Sequence, residues 1–190
     1  MNTLFPIETA YPDGFMYLPE FISPEEESFL LNEIEKIQLH SFIFQGYEAK
    51  RLVASFGFDW SFEKRSLSKG KDIPAAFYPL LEKVAVKLNF RKEDFGELLI
   101  TKYPVGSVIN WHRDAPPFDL IAGISLLAEC KFRLRPHEKA KQVRGSIITV
   151  PVRRRSLYVM SGVARTEWQH STMPVKQVRY SITLRTLHHT

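Results

Sequence analysis

His112 and Asp114 are separated by one residue. On a strand or other extended segment that spacing sends both side chains to the same face, where one metal ion can use both. A third candidate, His170, comes much later, two residues after Trp168. Two histidines and one carboxylate cover one face of an octahedral iron(II) and leave three positions open for a chelating keto acid and dioxygen. A zinc hydrolase uses the same donor types, but it has no evident use for the chain's closing segment. There Arg179, Ser181, Thr183 and Arg185 alternate with Tyr180, Ile182, Leu184 and Thr186, which gives a strand one polar and one mostly apolar face. If the polar face looks into a barrel, the two arginines must meet anions. Their forked donors suit a dicarboxylate.

Each signal taken alone has a plainer reading. His-x-Asp also fits a surface turn, His170 a structural histidine, and the alternating strand a sheet edge with its polar face in water. His188 and His189, in a polar tail, are rival histidines. The combination of His112, Asp114 and His170 with two inward arginines favours the metal site.

Stepping outward to the elements that must hold these residues, Ser23-Pro24-Glu25-Glu26 reads as a capping box with proline at the first helical position. Leu30, Ile34 and Ile37 form that helix's buried stripe. A second helix is expected after Asp72, with Pro74 in its first turn and Phe77, Leu81, Val84 and Leu88 at helical spacing. From Glu97 onward short β-rich runs follow: Leu98–Tyr103, Leu120–Leu127, Lys131–Leu134, Ser146–Val152, Leu157–Met160, Trp168–His170 and Arg179–Leu187. Helices first and many short strands afterwards predict an α+β chain built on a jelly roll.

Residues 40–71 differ from both halves. Aromatic and basic residues alternate there without a helical period, which suggests hairpins or a loop. We expect a substrate lid in which Lys50 and Arg51 meet phosphates while Tyr47, Phe56 and Phe58 stack on a base, as a groove for single strands requires. The plainer reading makes the aromatics the core of a small sheet extension and the basic residues its wet face. Arg113 points away from the metal and is a phosphate contact or a surface residue.

The 190 residues suit one domain, 1–190, with a core that needs no staples. Near-average apolar and charged fractions, 44% and 25%, exclude a disordered or collagen-like chain. The single cysteine, Cys130, excludes an intrachain disulfide and a cysteine-rich zinc site and is expected to pack in the core. Apolar runs such as 120–128 are too short to span a bilayer. A cytoplasmic monomer with no membrane partner is therefore expected. The net charge of +5 mildly favours a polyanionic partner.

Taken together, Tyr103-Pro104-Val105-Gly106, Trp111-His112-Arg113-Asp114, Ala122-Gly123-Ile124-Ser125-Leu126, Ser161-Gly162-Val163-Ala164-Arg165 and Arg179-Tyr180-Ser181-Ile182-Thr183-Leu184-Arg185 resemble the AlkB-type iron(II)/2-oxoglutarate dioxygenases. The resemblance is close over the C-terminal half and loose over the rest. It implies a double-stranded β-helix with N-terminal helices packed outside and a lid. It implies iron ligands His112, Asp114 and His170, and Arg179 at the distal carboxylate of 2-oxoglutarate with Tyr103 assisting. Arg185 would lie nearer the chelating end, and Ser181 and Thr101 stand where some members carry asparagine. Ala115-Pro116-Pro117 replaces an acidic residue that some DNA-repair members set against the target base, so base preference does not carry over. The implied activity uses iron(II), 2-oxoglutarate and O2 to hydroxylate an alkyl group on a nucleic-acid base, releasing succinate, CO2 and an aldehyde. Its partner would be alkylated DNA or RNA, single-stranded or with the base extruded. Two alternatives stay open: the same chemistry on a protein or small molecule, and a catalytically silent binding module.

Overall fold

The computed structural model describes residues 11–44, 46–61 and 63–188. Twelve strands and three α-helices are present among them: β1 (Phe15–Leu18), α1 (Pro24–Glu35), β2 (His40–Phe44), β3 (Tyr47–Ser61), β4 (Ser66–Lys69), α2 (Tyr78–Leu88), β5 (Phe95–Tyr103), β6 (Ile109–His112), β7 (Phe118–Leu126), β8 (Cys130–Pro136), β9 (Ile148–Val152), β10 (Leu157–Met160), α3 (Gly162–Thr166), β11 (Trp168–Thr172) and β12 (Arg179–Leu187). They form two antiparallel sheets. The larger runs β1-β10-β7-β12-β5-β3-β2, with β4 paired to β3, and the smaller runs β6-β11-β8-β9. From β5 to β12 the chain passes back and forth between the sheets, staying in the smaller one only for the β8–β9 hairpin. That winding is the jelly roll expected from many short strands.

Strand alternation divides the core in two. Leu98 and Ile100 of β5, Ala122 and Ile124 of β7, and Ile182 and Leu184 of β12 turn one way, into a cluster with Leu30 and Ile34 of α1 and Leu81 and Val84 of α2. The opposite face of the larger sheet, with Tyr103, Ile121, Tyr158 and Met160, packs against Phe132 and Leu134 of β8 and Val150 of β9. The helices thus cover the outside of the larger sheet, and the space between the sheets is left for the polar residues of β12 and β5. Cys130 is buried in the inter-sheet core, where a small apolar thiol fits.

The Ser23 capping box forms as expected: Ser23 Oγ accepts from Glu26 N–H, and the Glu26 carboxylate accepts from Ser23 N–H. The second helix starts later than its pattern implied. A 3₁₀ turn covers Ala75–Phe77 and the α-helix begins at Tyr78, because Pro79 has no N–H and its ring fits only in a first turn. Ser146–Val152 also shortens, to Ile148–Val152, after a 3₁₀ turn at Arg144–Ser146. The strands β1 and β6, four residues each, are too short for a period to stand out in sequence.

Residues 40–71 are hairpins rather than a loop. Their long strand is bonded into the larger sheet, with Leu52 to Gly57 opposite Lys102 to Glu97, so this part of the segment is a wall. The β2–β3 hairpin beyond it overhangs the inter-sheet space. Among the described residues no helix is long and apolar enough to cross a membrane.

Candidate metal and carboxylate site

His112 ends β6 and faces His170 of β11 directly across the ladder, so register alone places two imidazoles side by side with ring centroids 4.2 Å apart. Asp114 lies two residues past the end of β6, with its side chain only 6% exposed. One donor atom from each of the three residues falls within 4.8 Å of the others. Asp114 Oδ2 is 3.5 Å from His170 Nε2.

The donors are prepared for a cation. His112 Nδ1–H donates to the Asn110 carbonyl at 2.8 Å, which fixes the tautomer and leaves Nε2 with a free lone pair. Burial and then the neighbouring His112 push the His170 imidazole down to about 3, so it is neutral at pH 7 and can coordinate. Asp114 Oδ1 accepts two bonds from Arg185, at 3.1 and 2.7 Å, whereas Oδ2 is buried with no hydrogen-bond donor among the described residues. A buried carboxylate oxygen left unpaired is costly. A cation between Asp114, His112 and His170 would satisfy it, and the donor set fits iron(II). Burial works most strongly against ionisation of Asp114, but Arg185, His170, His112 and Arg165 together outweigh it and hold the carboxyl well below its ordinary range.

The two arginines of β12 are in opposite situations. Arg185 is fully engaged: besides Asp114 it donates Nη1 to Glu97 Oε2 at 2.5 Å, and Glu97 Oε1 accepts from Ser55. Burial opposes its charge, but Glu97 and Asp114 more than restore it. Arg179, three residue pairs along the same face, is 2% exposed. Its Nε–H donates to Ser125 Oγ at 3.0 Å and its guanidinium lies 4.9 Å from the Tyr103 ring centre. Among the described residues no carboxylate reaches it. A buried cation without a counter-ion is the counterpart of a bound anion. Tyr103 and Ser181 stand beside it, their hydroxyls 3.4 Å apart, and Thr101 is opposite Ser181 on β5. Arg179, Tyr103, Thr101, Glu97 and Arg185, with the metal-ligand candidates, border one cavity of about 1440 Å³, room for a small dicarboxylate and a further substrate group.

Sequence reasoning missed three residues. Glu97 lay in no motif, and Ser125 lay in a segment that carried the resemblance but was given no role, although each falls at strand spacing in phase with Tyr103 or Gly123. Arg165 donates one nitrogen to the carbonyls of Asp114, Ala115 and Phe118, clamping the turn after the metal-ligand pair; a lone arginine in a short helix gives no such signal.

The proposed substrate residues fare unevenly. Arg51 projects into the cavity mouth with its guanidinium 3.9 Å over the Phe42 ring. Lys50 is exposed and, as the next residue on a strand, projects to the opposite face, so the two do not form one phosphate clamp. Phe56 is a correction as a stacking surface: it pairs with Leu98 and its side chain is 8% exposed in the core beneath the helices, because alternation points it opposite to Ser55, although the residue still borders the cavity. The side chain of Tyr47 lies outside the described residues. Arg113 is exposed, as expected, and donates to the Thr166 carbonyl. His188 sits 3.8 Å from Asp119 on the surface, away from the three candidates, and His189 lies outside the described residues.

The 2OG-Fe(II) oxygenase superfamily model matches residues 14–185. The chain is 28% identical over 175 residues to tRNA (carboxymethyluridine(34)-5-O)-methyltransferase alkbh8 of Xenopus tropicalis, covering 90% of this chain and 27% of that protein. It is 25% identical over 181 residues to the alkylated DNA repair protein ALKBH8 homolog of Arabidopsis thaliana, covering 83% of this chain and 50% of that one. The chain thus spans about a quarter to a half of these relatives. In fold it is similar to the solved structure of OsALKBH1, with TM-score 0.73, 14% identity and 93% and 98% of the two chains covered. It is also similar to a Trichoplax adhaerens prolyl hydroxylase solved with a hypoxia-inducible-factor peptide, with TM-score 0.64, 15% identity and 92% and 83% covered.

Proposed function

Because this chain belongs to the 2OG-Fe(II) oxygenase superfamily and is of the AlkB type, whose members use iron(II), 2-oxoglutarate and O2, we propose that it oxidatively dealkylates alkylated nucleic-acid bases. In this reading His112, Asp114 and His170 hold the iron, and Arg179 receives the distal carboxylate of 2-oxoglutarate with Tyr103, Ser181 and Ser125 around it. Iron(II) held there would supply dioxygen activation coupled to decarboxylation of 2-oxoglutarate, the chemistry by which an N-alkyl group would be hydroxylated and lost as an aldehyde from the unmodified base. The observation that carries the reading is Arg179, a buried cation with no acidic partner among the described residues, in the same cavity as the three donor side chains.

The chain's own residues supply position and charge. Arg185 keeps Asp114 ionised and turned. Phe118, Phe132 and Tyr158 line the inner cavity and keep water from the reacting end. The β2–β3 hairpin acts as a lid, with Arg51 and Phe42 at its inner face for the strand that presents the base. The names of the relatives, a transfer-RNA-modifying enzyme and an alkylated-DNA-repair homologue, support a nucleic-acid substrate. A mass-spectrometric screen of methylated single- and double-stranded DNA and RNA, with succinate measured in parallel, tests it. Succinate formation that no oligonucleotide stimulates would move the substrate to a protein or small molecule, and no succinate under any condition would leave a silent binding module.

A further inference from the structure

The smaller sheet has a second face. On β8, Cys130, Phe132 and Leu134 are buried between the sheets, so Lys131, Arg133 and Arg135 project outward. Arg133 is opposite Ser171 and Arg135 opposite Gln169 on β11, and directly paired residues share a face. His170, between those two, faces the cavity. Trp111, adjacent to His112 on β6, also turns outward, and its ring collects both guanidiniums: Arg133 lies 4.8 Å and Arg135 4.4 Å from its centre.

Three features of this face point to one ligand chemistry. Among the described residues no carboxylate pairs with Lys131, Arg133 or Arg135, while many other surface cations, such as Lys83, Lys92 and Arg155, are paired. Each arginine is held by its Nε, which donates to Ser171 Oγ at 3.1 Å in one case and Gln169 Oε1 at 2.8 Å in the other. The terminal nitrogens, the fork that grips phosphate, are left for a partner. Alternate residues on a strand are about 6.6–6.8 Å apart, a step comparable with that between phosphates of an extended nucleic-acid strand, and Trp111 adds an aromatic face.

We propose that the outer face of the smaller sheet, centred on Arg133, Arg135 and Trp111, binds the phosphate backbone of the substrate strand away from the target nucleotide. This rests on the nucleic-acid reading of the cavity. β6 is the sheet's edge; Trp111 precedes the metal-ligand candidate His112 at its end and Arg113 follows just beyond it, so a strand leaving the cavity rounds that edge and meets the two arginines. The face extends the grip on the polynucleotide and adds nothing to the chemistry of the bound base.

The test is fluorescence anisotropy of the full chain with a labelled single-stranded 20-mer across a salt series, beside turnover on a methylated trinucleotide too short to reach the outer face. Arg133→Gln with Arg135→Gln should weaken 20-mer binding about tenfold or more at low salt and flatten the log–log salt slope by about 1.4 units, two phosphates at roughly 0.7 each. Trinucleotide turnover should not change. Lys131→Gln, fully on the surface, should flatten the slope by about half as much and guards against a folding defect in the double variant. Wild-type slope in both variants would overturn the proposal while leaving the cavity reading intact. Failure of the wild type to bind any oligonucleotide would overturn both. Equal binding of polyglutamate of matched charge, lost in the same variants, would assign the face to an acidic peptide and also overturn it.

Discussion

Arg185 joins Asp114 to Glu97: its Nε and Nη2 reach Asp114 Oδ1, and its Nη1 reaches Glu97 Oε2. One carboxylate oxygen is thereby pinned and the other left bare toward His170. Arg185→Lys keeps the charge and loses the fork, so affinity for a divalent probe such as Mn(II) should fall about 10–100-fold, the usual cost of removing a partner that orients a metal ligand. Calorimetric titration checks this. Arg185→Ala also strands two buried carboxylates, and the metal-free protein should lose about 3–5 kcal/mol of stability.

Arg179 should behave oppositely. Without its ligand the cation has no acidic partner to lose among the described residues, so Arg179→Met should leave metal-free stability within about 1 kcal/mol of wild type, the worth of its bond to Ser125. The 2-oxoglutarate requirement should rise by roughly 2–5 kcal/mol in apparent affinity. Denaturation curves and KM for 2-oxoglutarate decide together; unchanged dependence on the co-substrate would remove the carboxylate assignment.

Alanine at His112, Asp114 or His170 should each abolish succinate formation and stoichiometric metal binding with the fold retained. His188→Ala should do neither, since that residue lies on the surface beside Asp119. Metal content after dialysis and far-ultraviolet circular dichroism make the comparison.

Much of this site was legible before the fold because strand alternation is a rule of geometry. Arg179, Ser181, Thr183 and Arg185 share a face in any strand, and the sequence pattern named β12 with its observed bounds. Only the family resemblance pointed to Arg179; which of the two arginines would be free for a ligand was not legible in the alternation itself. That depends on Glu97 lying opposite Arg185 and on Ser125 reaching Arg179, pairings set by register between distant segments. Phe56 shows the same limit: its residue type suited stacking, and only the pairing of β3 with β5 told which way it points.

Since Lys50 and Arg51 face opposite ways, their substitutions should separate. Arg51→Ala should lower turnover on a methylated oligonucleotide and flatten its salt slope by about 0.7 units, one phosphate contact on a single strand, with Lys50→Ala closer to wild type. Equal effects of the two would mean that strand β3 does not present them as the fold has it.

Gly123 offers a check on the cavity's inner wall. A Cβ there would stand 2.2 Å from the Tyr158 ring, which fills the space above the glycine across the β7–β10 pair. Gly123→Ala must displace that ring at a cost of about 1–3 kcal/mol, and the displaced ring should also disturb 2-oxoglutarate binding. Thermal unfolding and KM report the two effects.

The alternation in β12 has a corollary for how this chain can vary in length. Because pocket and helix-facing residues interleave one by one, inserting or deleting a single residue in 179–185 would send part of the polar set into the hydrophobic core and bring Tyr180, Ile182 or Leu184 into the cavity. Substitutions there touch one role at a time, whereas a one-codon indel would strike charge balance, core and ligand grip at once. Length changes should therefore be absorbed in the turns flanking the strand, around residues 173–178 and past 187, and not within it.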